Sequence, residues 1–151
     1  MLDSFLRGSQ QDNPYHSLFS KLVTTIGREN INIRMKQEAP VGRSGKRSYA
    51  EFNPANNTIT FYVDSILRHK KNSGADNNLT RRQLFKTLTH ELLHQLTVQT
   101  INSPVSAAGE QFAKEIKQLY KEVLDYFGGD TTAHYGLFDV NEFVSEAMTN
   151  L

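Results

Sequence analysis

Two histidines stand four residues apart in His90-Glu91-Leu92-Leu93-His94, inside a run from Thr80 to Thr100 that holds neither proline nor glycine. That run reads as a helix, opened by a capping box in which Thr80 serves the Gln83 amide. On a helix the spacing sets both imidazoles on one face with their roots roughly 5 to 6 Å apart. Both can then reach one metal ion at about 2.0 to 2.1 Å. Glu91 lies beside the pair, too far round to be an easy ligand but within reach of a metal-held water, the place of a general base. Phe85, Leu88, Leu92 and Leu96 form the expected core stripe, and the histidines fall on the opposite side with Thr87, Thr97 and Ile101. The bland alternative is a solvated helix face. Such a face seldom continues into an isoleucine.

The rest of the composition narrows the chemistry. The chain has 151 residues, enough for one globular domain with its own core, and no cysteine. Disulfides, thiolate metal sites and cysteine nucleophiles are therefore excluded, leaving His, Asp and Glu as ligands and catalysts. With 17 Lys+Arg against 16 Asp+Glu, the net charge of +1 argues against a general binder of nucleic acid or anionic membrane. Arg68-His69-Lys70-Lys71 reads as the solvated last turn of a short helix, not a nucleic-acid patch. The stretch Gly42 to Ser48 lacks phosphate-loop spacing and reads as a surface loop. There is no apolar run of about 18 residues and no basic start followed by an apolar core, so the expectation is a cytoplasmic chain without membrane contact.

Around the central helix the pattern predicts an α+β domain. Residues 1 to 13 read as a flexible arm, and residues 14 to 151 as a single domain cut from a longer chain. Asn13-Pro14 starts a helix over 15 to 26, with Tyr15, Leu18, Phe19, Leu22, Val23 and Ile26 at helical spacing. Ile31 to Met35 alternates as a strand, and Ser48 to Asn53 with Thr58 to Val63 looks like a hairpin with one buried face. Together these predict a small, mostly antiparallel sheet of about three strands. A short helix over 64 to 70 precedes the central one. Two C-terminal helices follow it. The first spans Ser106 to Phe127, with Phe112, Ile116, Leu119, Val123 and Tyr126 as its stripe and Gly128-Gly129 as its stop. The last begins at Asp139, with Val140, Phe143, Val144, Ala147 and Leu151 as its apolar face.

A catalytic zinc site has three protein ligands and an open position, so a third ligand is needed. The residues after His94 lack the glycine turn and third histidine of a metzincin. Asn141-Glu142-Phe143-Val144-Ser145-Glu146 offers two carboxylates one turn apart, turned away from Val140 and Val144. Glu142 is the candidate third ligand, and Glu146 can accept a hydrogen bond from the distal nitrogen of a ligand histidine. The competing reading gives Glu142 to a capping box with Asp139, and a side chain bent back to that amide cannot also bind metal. Two imidazoles and one carboxylate favour one zinc ion per chain over manganese or cobalt.

These residues resemble the gluzincin metallopeptidases, in which HExxH is followed downstream by a helix carrying a glutamate ligand and a further acid one turn on. NEFVSE here is similar to the NExxSD of thermolysin-type enzymes, departing only in its last acid. The segment from His134-Tyr135-Gly136 to Ala147 is similar to the end of lethal-factor-type catalytic domains. The resemblance implies that Tyr135, seven residues before Glu142, stabilises the transition state, with His134 as the alternative donor; an ordinary tyrosine remains the other reading. The layout also resembles metallopeptidase domains of phage and mobile-element polyvalent proteins. It implies a zincin-like fold, zinc-dependent endopeptidase activity and a protein or peptide substrate. In zincins the substrate lies extended beside an edge strand, which would make Thr58 to Val63 that edge, with Thr58, Thr60 and Tyr62 along it. The competing functions are a catalytically silent zincin-fold binding or structural module and a metal-free helical adaptor.

Overall fold

The computed structural model describes residues 15–41, 47–74 and 77–149. The expected arm, the Asn13-Pro14 start, most of the basic loop and Leu151 lie outside the described residues. The described residues form five helices and one three-stranded mixed sheet, an α+β arrangement. The chain divides into two compact units between Leu92 and Leu93, inside a helix that runs on without interruption.

In the first unit, α1 (His16–Ile26) buries Phe19, Leu22 and Val23, the i, i+3, i+4 positions of its apolar stripe. It ends at Gly27, whose φ of 84° lies in the left-handed region, where an L side chain would be strained. After a 3-10 turn at Arg28–Asn30 come β1 (Asn32–Lys36), β2 (Ala50–Asn53) and β3 (Thr58–Tyr62). The β2–β3 hairpin is antiparallel, with Phe52 opposite Ile59, and its turn is held by the Asn53 side chain accepting from the Ala55 amide at 2.9 Å. Strand β1 pairs with β3 in parallel, Ile33 opposite Ile59.

The order β1-β3-β2 corrects two expectations. The sheet has one parallel and one antiparallel pairing, and β3 is its central strand, so Thr58, Thr60 and Tyr62 are not on a substrate-binding edge. Both of its ladders are already taken. All five residues of β3 are buried, on both faces, because their polar atoms find partners: Thr58 Oγ1 donates to the Asn56 carbonyl at 3.1 Å and the Tyr62 hydroxyl to Glu51. Alternation of threonine with isoleucine and phenylalanine thus signalled a pleat, not a wet face.

Burial first, then the bond to Glu51 and the charges of Glu51 and Glu91, push the Tyr62 phenol well above the usual tyrosine range; burial also raises Tyr49. A raised folded value means that the stabilisation is complete below about pH 10, where an unfolded tyrosine ionises, and disappears as pH rises through the folded value. Urea unfolding followed from pH 8 to 12 should therefore show stability falling above about pH 10, less steeply in Tyr62→Phe.

Helix α2 (Val63–Ser73) follows β3 directly and is longer than the expected 64 to 70. Helix α3 spans Asn77–Asn102. It starts upstream of Thr80, which is therefore not its cap. The expected division of α3 into a core stripe and an opposite face also fails: every residue from Leu88 to His94 is buried, whereas Leu96 is exposed. Within the first unit Phe19 meets Phe85 edge to face at 5.2 Å, and Leu88 and Leu92 are fully buried.

In the second unit α4 (Ala107–Tyr126) begins at Ser106, whose side chain accepts from the Gly109 amide at 3.1 Å. It stops at Gly128 and Gly129, both with positive φ, as their sequence indicates. Its buried side runs through Gly109 and Ala113 to half-buried Ile116, Tyr120 and Val123, while Phe112, Leu119 and Tyr126 of the expected stripe are exposed. Small residues let the backbone approach closely; a Cβ at Gly109 would stand 3.2 Å from Ser106 Oγ and in van der Waals contact with Pro104 and Thr100. A 3-10 turn at Tyr135–Leu137 leads into α5 (Val140–Thr149), which buries Val144, Ser145 and Thr149 but leaves Ala147 exposed. No helix among the described residues is long and apolar enough to cross a membrane.

Candidate metal centre

His90 and His94 occupy consecutive turns of α3, in the stretch buried on all sides, and are only 8% and 7% exposed. Helix interiors place few polar groups at such depth without a partner, since an unpaired one costs roughly 1 to 3 kcal/mol. Thr89 and Thr97 on the same turns answer this locally, donating to the Phe85 and Leu93 carbonyls at 2.7 and 2.6 Å.

Glu142 comes from the first turn of α5, and the start of that helix is fixed by Asp139. Its Oδ1 accepts the amides of Asn141 at 2.8 Å and Glu142 at 3.0 Å, and its carbonyl accepts that of Phe143 at 2.9 Å. Asp139 thereby does the capping, and Glu142 extends toward His94, Oε1 standing 3.5 Å from Nε2. One ligand atom from each of His90, His94 and Glu142 lies within 4.8 Å of the others. Two donors on one tetrahedral ion at about 2.0 to 2.1 Å are roughly 3.3 Å apart, so the His94–Glu142 separation needs little adjustment. Two neutral imidazoles and one carboxylate, buried or half-buried, form a donor set suited to a divalent cation.

Glu91 is 7% exposed, between the two histidines on the same helix, and its charge contributes to keeping the Tyr62 hydroxyl protonated. Tyr135 opens the 3-10 turn that precedes α5 and is 58% exposed. His134, exposed and extended just before it, supplies the carbonyl that accepts from Leu137 at 2.9 Å. Neither belongs to the ligand cluster, nor does Glu146, whose Cβ and Cγ lie against Gly136. Thr58, Thr60 and Tyr62 are interior to the sheet. Two residues near the site carried no expectation. Gly136 is buried and meets α5 where a Cβ would stand 3.2 Å from that of Glu146; Tyr120 donates its hydroxyl to the Leu137 carbonyl at 2.8 Å. A tyrosine on the buried side of an amphipathic helix is the available signal, because its hydroxyl needs a partner.

A shallow concavity lined by Pro104, Ala113, Lys114, Lys117 and Lys121 among others lies along α4 and includes none of these residues. Compared with protein-family models, curated proteins and solved structures, the chain matched none.

Proposed function

We propose that this chain is a zinc-dependent endopeptidase with a zincin-like fold, acting on peptide bonds of a protein or peptide substrate. The observation that carries the reading is the convergence of His90, His94 and Glu142, with Glu91 buried between the two histidines on the same helix. His90, His94 and Glu142 would hold one zinc ion, leaving a position open for water and substrate. When bound, zinc supplies a Lewis acid that brings the pKa of its water to about 7. Glu91 accepts the proton of the attacking water and passes it to the departing amine, so one carboxylate serves as base and then as acid. Tyr135 donates a hydrogen bond to the carbonyl oxygen as negative charge gathers there, for which its exposed position is suited. His134 is the neighbouring alternative donor. With β3 enclosed, an extended substrate would add to an outer strand, β1 or β2.

Metal removal tests this reading. Purified protein should hydrolyse a denatured, fluorogenically labelled protein, lose that activity on treatment with a chelator and regain it with one equivalent of zinc. Hydrolysis indifferent to the chelator, or absent from zinc-loaded protein, would contradict it.

A further inference from the structure

The turn that carries the proposed catalytic tyrosine is tied to α4. Tyr120 makes two contacts at once: its hydroxyl donates to the Leu137 carbonyl at 2.8 Å, and its ring lies 5.7 Å from that of Phe143, tilted by 59°. Leu137 closes the 3-10 turn that Tyr135 opens, and Phe143 follows Glu142 in the first turn of α5. One side chain therefore ties the turn bearing the proposed oxyanion donor to the helix bearing the proposed ligand. Gly136 brings the same turn flat against α5, at 3.9 Å from the Phe143 Cα for a Cβ built there. Glycine permits the approach, and the Tyr120 bond fixes its register.

We infer that Tyr120 is a positioning residue of the peptidase site, holding Tyr135 in place relative to Glu142; the inference rests on the function proposed above. Tyr120 touches neither substrate nor metal and acts through Tyr135. Its phenol is held above the usual tyrosine range by burial and then by the Asp139 charge, so it remains a donor throughout the neutral range. A small displacement of a catalytic group is costly, about 10²-fold in rate for 1 Å.

The test compares zinc-loaded wild type, Tyr120→Phe, Tyr135→Phe and the double variant. Tyr120→Phe keeps the ring and removes only the hydroxyl, so zinc content stays at one per chain and melting shifts by a few degrees. Its kcat should fall about 10- to 100-fold with KM nearly unchanged. In the Tyr135→Phe background the same change should cost nothing further, since residues acting as one unit do not add. Amide exchange at Leu137 and Phe138, whose N–H groups close the turn, should accelerate selectively. Unchanged kcat in Tyr120→Phe, losses that multiply in the double variant, or unchanged exchange in the turn would each overturn the inference while leaving the peptidase reading intact. An inactive wild type would overturn both.

Discussion

Glu91→Gln should fold, keep its metal and lose turnover by about 10² to 10⁴, the range contributed by a positioned general base. The substitution preserves volume in a segment where every residue from Leu88 to His94 is buried, so no cavity opens. An amide accepts no proton at neutral pH, and both kcat and kcat/KM should fall together, because the proton transfer belongs to the transition state. Zinc assay and hydrolysis on the same preparation separate the outcomes. Equal activity in the two proteins would remove Glu91 from the mechanism; loss of zinc would make it structural. The variant has a second, independent signature, since one of the charges that raises Tyr62 is gone and that phenol should ionise at lower pH.

His94→Ala should lose the metal and with it a large part of the stability of the zinc-loaded protein. A ligand bound only by the folded state stabilises by about 4.1 kcal/mol at a thousand times its dissociation constant. The substitution removes the imidazole that stands 3.5 Å from the half-buried Glu142 carboxylate. Thermal unfolding with and without added zinc checks this: wild type should gain many degrees from zinc, and His94→Ala almost none. The metal-free proteins should differ far less. A zinc response retained in full by His94→Ala would place the ion elsewhere.

The clustering of His90, His94 and Glu142 was legible because its geometry is local. Four-residue spacing on a helix decides where His90 and His94 point whatever surrounds them, and Asp139 with Glu142 marks a helix start by side-chain chemistry alone. Distinguishing capping from coordination was not possible from spacing. The structure shows Asp139 taking the amides and Glu142 reaching His94, a choice made by the fold around the helix. Sheet order was hidden for a related reason. The alternation of β3 is the same for an edge as for a centre, and only the return of β1 alongside it encloses Thr58, Thr60 and Tyr62. On α4, hydropathy favoured Phe112 and Leu119 over Gly109 and Ala113, yet close packing selects the small residues and leaves the large ones exposed. Tyr120 was invisible because its partner is a backbone carbonyl seventeen residues away.

Anomalous diffraction at the zinc edge, from crystals grown without chelator, tests the proposed ion and its three side chains directly. The expected result is a single strong anomalous peak per chain, about 2.0 to 2.2 Å from one atom each of His90, His94 and Glu142. No peak there in zinc-soaked crystals, with His94 and Glu142 simply paired to each other, would contradict it.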